Sequence, residues 1–131
     1  RVDTATGKVK VLRFVCSQDM GQCVNPHGAL MQMEGCITMA LGYTFTEEIH
    51  FEGGKIADLG FDSYQIPKLS WLPKIECVIL DRMDKPPRGG GEPAIIAVGA
   101  AVANAIYDAT GARLYRTPMT PERVLEALKK I

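Results

Sequence analysis

Gly89-Gly90-Gly91-Glu92-Pro93 is the stretch of this chain best suited to chemistry. Three successive glycines let the backbone reach conformations and approach distances closed to other residues. Pro93 fixes a first helical turn, which sets Glu92 at the N-terminus of the element that follows. An acidic residue there can simply meet the helix dipole. It can also be a carboxylate held in a cleft beside a ligand, kept ionised by the helix end while burial pushes its pKa upward. Such a group is fit to act as a base. These residues leave both readings open. A phosphate-cradling loop is disfavoured, because the stretch lacks the Lys and Ser/Thr of a P-loop and Glu92 would repel phosphate.

A second polar residue stands out upstream. Asn25-Pro26 reads as a helix entry, with Asn25 as N-cap and Pro26 in the first turn, and the helix is expected to run to Leu41 and stop at Gly42. Gly28, Gly35 and Gly42 recur every seven residues and so lie near one face of that helix. Each interior glycine costs ~1 kcal/mol relative to alanine. A bare stripe of this kind suggests close approach by another backbone or a ligand. Gln32 projects from the same stripe, and its amide needs partners if buried.

The elements that must position these residues read as follows. Residues 9–18 are β-rich and form a strand. Residues 43–52 alternate, with Tyr43, Phe45, Ile49 and Phe51 on one face, and Gly53-Gly54 turns them into a return strand over 55–61. Glu47 falls on the apolar face, as an edge or snorkelled carboxylate. His27 and His50 read as structural and solvated rather than as ligands. Residues 62–74 form a surface loop, and Ile75–Asp81 is another strand. The run Ala94–Tyr107 holds no charged residue until Asp108, and with Gly111 as its stop it reads as a helix buried on nearly all sides. Thr120-Pro121-Glu122 opens an amphipathic helix with Val124, Leu125 and Leu128 inward. Strands and helices in this order make an α+β domain, with helices packed on one face of a mixed sheet in two layers.

Composition sets the outer bounds. The chain has 131 residues, 47% hydrophobic and 23% charged, enough for one folded domain without metal or disulfide staples. Fifteen basic and fifteen acidic residues give zero net charge, which removes the electrostatic case for nucleic acid or an anionic membrane. No apolar run approaches the ~20 residues of a membrane span. The four cysteines contain no CxxC pair, so a zinc knuckle or dithiol redox motif is disfavoured, and Cys16, Cys36 and Cys77 read as small buried hydrophobes. No metal-ligand set is assigned.

Taken together, several pieces resemble a known family. They are Asp19-Met20-Gly21 followed by Asn25-Pro26, Gln32-Met33-Glu34-Gly35 leading to Leu41-Gly42, and Glu47-Glu48-Ile49. Gly91-Glu92-Pro93, Val102-Ala103-Asn104-Ala105-Ile106, Ala109-Thr110-Gly111 and Arg116-Thr117-Pro118 complete the set. Their order and spacing over nearly the whole chain resemble the C-terminal part of the molybdenum-binding subunit of molybdenum hydroxylases, the xanthine dehydrogenase and aldehyde oxidase family. The nearest pattern is the bacterial isoquinoline 1-oxidoreductase β-subunit.

The resemblance implies that residues 1–131 are one α+β domain of a larger subunit. Glu92 would correspond to the catalytic glutamate, the base that activates a water-derived oxygen for attack on an electron-poor carbon of an N-heterocycle or aldehyde. Gln32 and Gly91 would belong to the cofactor site, with Gln32 hydrogen-bonded to the pterin. The implied cofactor is molybdenum–molybdopterin, in its cytosine dinucleotide form, bound in the full-length enzyme and absent from the isolated segment. Implied partners are the upstream part of the same subunit, a small [2Fe-2S] subunit that carries electrons away, and a small-molecule substrate. The segment alone would be inactive, and its compartment, periplasm or cytoplasm, is left open. A domain that keeps the fold without catalysis is the alternative. Gly90 departs from the family pattern, in which the middle residue is bulkier.

Overall fold

Helix α1 spans Pro26–Phe45 and is the element on which the rest is assembled. Its start is as expected: the Asn25 side chain accepts from Gly28 N at 3.0 Å, and Pro26 occupies the first turn. Its end is not. Gly42 does not stop the helix, and Tyr43, Thr44 and Phe45 are helical rather than the beginning of a strand. Burial follows the helical period through Met33, Cys36, Ile37, Ala40, Leu41 and Thr44, so packing of that face carries the helix past the glycine. Thr44 Oγ1 is satisfied by donating to Ala40 O at 2.7 Å. This computed structural model describes residues 1–131.

The strands are shorter than their sequence patterns. Strand β1 is Arg13–Gln18 and pairs in parallel with β4, Lys74–Ile79, with Cys16 opposite Cys77. Strands β2 (Phe51–Glu52) and β3 (Lys55–Ile56) form a separate antiparallel hairpin of two residues each. Its turn is Gly53-Gly54, both with φ > 0 (55° and 77°), as a tight two-residue connection requires. A 3₁₀ turn at Leu69–Trp71 interrupts the loop before β4. The architecture is α+β, as the order of elements implied.

The helix after Glu92 is broken in two. Helix α2 is a single turn, Pro93–Ile96, and α3 runs Val98–Thr110 after an interruption at Ala97. Gly111 ends α3 in the left-handed conformation, φ 79°. The expectation of burial on nearly all sides fails. Ala94, Val98, Val102 and Ile106 are buried, every fourth residue, while Ile96, Ala97, Ala100, Ala101 and Ala105 are exposed. Composition did not separate the two faces because both are apolar; only one meets α1. Pro93–Thr110 as a whole is long and apolar enough, by length and composition alone, to cross a membrane. The helix is interrupted at Ala97, and one stripe of it packs into the core.

The main core joins Ile37, Ala40 and Leu41 of α1 with Val98, Val102 and Ile106 of α3 and with Met119. A smaller cluster, Met33, Cys36 and Ala94, sits where α1 meets α2 and the ends of β1 and β4. Helix α4, Pro121–Leu128, starts at Thr120, whose side chain accepts from Arg123 N, and Val124 is fully buried. Glu48 ties α4 back to the segment after α1. It accepts from Arg123 at 2.8 and 2.9 Å and from Arg116 at 3.1 Å, and the Arg123 hydrogen bond, ahead of Arg116, lowers its pKa.

Candidate functional site

Residues 32 and 91 are far apart in sequence and adjacent in space. Gln32, one and a half turns into α1, donates from Nε2 to Gly91 O at 2.6 Å. Cys36 lies one turn further on the same face. Its Sγ donates to the same carbonyl at 3.0 Å, and Gln32 Nε2 also reaches Cys36 Sγ at 3.8 Å. Gly91 O is therefore a node that two side chains of α1 hold together. Glu92 is the next residue.

Glu92 itself is exposed, and its side chain makes no capping hydrogen bond. With only one helical turn behind it, the helix-dipole account has little to act on. Gln32, Gly91 and Glu92, each singled out from the sequence, are neighbours in the structure.

The glycine stripe resolves into three different situations. A Cβ at Gly28 would meet the Asn25 cap side chain at 2.9 Å. A Cβ at Gly42 would overlap the Glu47 carboxylate and come within 2.7 Å of Pro67 Cδ. A Cβ at Gly35 would meet nothing within 4 Å. The close approach expected along the stripe is real at Gly42, where the chain itself fills the space. Glu47 is held there by Tyr64, whose hydroxyl donates to Oε2 at 2.6 Å. The carboxylate on the apolar face is thus a packed, paired group rather than an edge residue.

The glycine loop is anchored from below as well as from α1. Gln18, the last residue of β1, is 5% exposed and donates from Nε2 to Gly90 O at 3.3 Å. Its Oε1 is buried with no partner. Met20 packs on the loop, so that a Cβ at Gly90 would lie 3.2 Å from its Sδ. Arg88 N donates to Met20 O at 2.8 Å, and Gln22 N to Lys85 O at 3.1 Å. Residues 85–90 thus follow the end of β1. Gln18 and Cys36 were not singled out from sequence as site residues. The signal for Gln18 was a polar residue on the inward face shared by Phe14 and Cys16, and that for Cys36 was its i+4 spacing from Gln32.

Above the loop the surface is open. A Cβ at Gly89 or Gly91 would meet nothing within 4 Å. Two grooves, of about 460 and 710 Å³, run along the chain entering β1, beside α3 and the Trp71 turn, and include neither Gln32 nor Glu92. The candidate site is therefore a face beside the bare glycines. Its polar groups are a free carboxylate, a carboxamide oxygen and bare glycine backbone. Such a face can receive a flat, hydrogen-bonding heterocycle, so its residues fit a pterin.

Comparison with known proteins identifies the family. A family model described as a molybdopterin cofactor-binding domain matches residues 1–73, which include Gln18, Gln32 and Cys36; Gly91 and Glu92 lie beyond the match. One subunit of the nicotinate dehydrogenase of Pseudomonas putida is 40% identical over 127 residues, covering 97% of this chain and 11% of its own length. The aldehyde oxidoreductase molybdenum-binding subunit PaoC of Escherichia coli is 33% identical, covering 99% of this chain and 19% of its own. The crystal structure of quinoline 2-oxidoreductase from Pseudomonas putida 86 matches 98% of this chain with a TM-score of 0.88 at 28% identity, over 17% of that chain. This chain spans 11% to 19% of the length of the curated relatives it matches. The family match and these likenesses lead to one assignment: the chain belongs to the molybdopterin cofactor-binding domain family of the molybdenum hydroxylases.

Proposed function

We propose that this chain supplies the base and part of the pterin-binding face of a molybdenum hydroxylase. Its substrate is an aldehyde or an electron-poor N-heterocycle, as in isoquinoline 1-oxidoreductase, hydroxylated with oxygen from water. The observation that carries this reading is the convergence of Gln32 and Cys36 on Gly91 O, immediately before an unpaired carboxylate on an open face.

The molybdenum–pterin group, in its cytosine dinucleotide form, supplies the two-electron redox chemistry when bound. Gln32 has committed one amide proton to Gly91, and its Oε1 accepts nothing within the chain. That oxygen is the acceptor offered to a pterin N–H. Gly91 contributes bare backbone, which lets the ring system approach without a Cβ in the way. Glu92 takes the proton from the attacking water-derived oxygen at a carboxylate oxygen. Because the face is open, the rest of the same subunit must close it and exclude bulk water. A small [2Fe-2S] subunit takes the electrons onward, and this domain without those partners does not turn over.

The test is Glu92→Gln in the holoenzyme that contains this chain. Gln preserves size but cannot accept a proton at neutral pH. Loss of a general base costs about 10²–10⁴-fold. The rate of anaerobic cofactor reduction by an aldehyde or N-heterocycle should fall by at least that much, with molybdenum content unchanged on the same sample. A fully loaded Glu92→Gln enzyme within a few-fold of wild type would return Glu92 to a structural role.

A further inference from the structure

The two peptide planes that flank Gly91 are held by two different elements. The Gly90 carbonyl lies in the plane before it and accepts from Gln18 of β1. The Gly91 carbonyl lies in the plane after it and accepts from Gln32 and Cys36 of α1. Fixing both planes fixes φ and ψ at Gly91, the residue with the most conformational freedom to lose. The direction in which Glu92 leaves the loop is set by that pair of angles.

Gln18 is the less expected half of this arrangement. If it only filled space, a methionine of similar length would do so without a buried, unpaired acceptor, which is destabilising. What the carboxamide adds is its N–H to Gly90. We propose that Gln18 is a positioning residue for Glu92, clamping the Gly90 carbonyl while Gln32 and Cys36 clamp that of Gly91. This rests on Glu92 being the base.

The test uses the holoenzyme with Gln18→Met, alone and combined with Glu92→Gln, at matched molybdenum content. Misplacing a reacting group by about 1 Å can cost 10²-fold. A loosened loop should therefore lower kcat by about 10-fold or more while leaving KM within about twofold. In the Glu92→Gln background the Gln18→Met change should add no further loss, because the residue through which it acts is already disabled. An equal loss in both backgrounds or an unchanged kcat would overturn the clamp. A Glu92→Gln enzyme near wild-type rate would overturn the base reading and the clamp together. A disabled Glu92→Gln beside an indifferent Gln18→Met would overturn the clamp alone. Gln18→Leu is the second variant; if neither variant yields folded enzyme, Gln18 is a core residue and the inference is wrong.

Discussion

Gly35→Ala and Gly42→Ala are the same substitution on the same helix, seven residues apart, and should act in opposite directions. At Gly35 the new methyl meets nothing within 4 Å. The helix then gains the propensity difference between the two residues, about 1 kcal/mol. At Gly42 the same gain is opposed twice. The Cβ would overlap the Glu47 carboxylate and sit 2.7 Å from Pro67 Cδ. Turning Glu47 outward gives up the Tyr64 hydrogen bond, and bonds to charged groups are worth about 1.5–3 kcal/mol. Moving Pro67 carries the usual overpacking cost of about 1–3 kcal/mol. The net expectation for Gly42→Ala is a loss of about 2–5 kcal/mol. Urea unfolding followed by far-ultraviolet circular dichroism gives both values from midpoints and slopes. For a domain of this size the melting temperature should rise by about 3 °C for Gly35→Ala and fall by about 10 °C for Gly42→Ala. Tyr64→Phe separates the Glu47 hydrogen bond from the Pro67 contact. A Gly42→Ala protein as stable as wild type would refute the packing of Glu47 and Pro67 on α1. A destabilised Gly35→Ala protein would refute the openness of that face, and lower molybdenum content at unchanged stability would mark Gly35 as a ligand contact instead.

Gln32→Ala should lower pterin retention after extended dialysis more than it lowers stability, because Cys36 still donates to Gly91 O and the loss is held to ~1 kcal/mol; wild-type pterin content would contradict the role given to Gln32. Glu76 has its pKa lowered from 4.5 to about 2, first by the Arg13 hydrogen bond and then by Lys74. Its folded value lies below its unfolded one. Its stabilisation of the β1–β4 pair is thus complete above pH 4.5 and lost as pH falls toward about 2. Glu76→Gln should flatten that part of the stability profile, and a carboxyl carbon titrating near 4.5 in the folded protein would disprove the shift.

Local chemistry was legible in the sequence where one residue does the work. Asn25-Pro26, Gly53-Gly54, Gly111 and Thr120 each mark a boundary by their own conformational preference, and each marks it in the structure. Gly42 carried the same kind of signal and was overridden, because Ile37, Ala40, Leu41 and Thr44 continue the buried face across it. Tyr43 to Phe51 alternates in polarity, but a short apolar pattern fits a helix as well as a strand until its packing partner is known. In the candidate site, Glu92 and Gln32 were visible as polar groups among glycines. Gln18 was not, since its significance lies in a contact with residue 90, across 72 positions of chain.

The parallel pairing of β1 with β4 also dictates an order of events. Two parallel strands cannot be joined by a tight turn, and here residues 19–73, all of α1 included, lie between them. Closing so long a segment brings its entropic cost before any ladder bond repays it, so non-local pairing of this kind comes late in folding. Helix α1, whose hydrogen bonds are local, can form earlier. The end of β1, and with it the Gln18 grip on Gly90, is in place only once the ladder has closed. Pulsed hydrogen exchange during refolding should accordingly protect α1 before the β1–β4 ladder. A nascent or partly opened chain would then carry Glu92 on a loop whose Gly90 carbonyl is not yet gripped by Gln18.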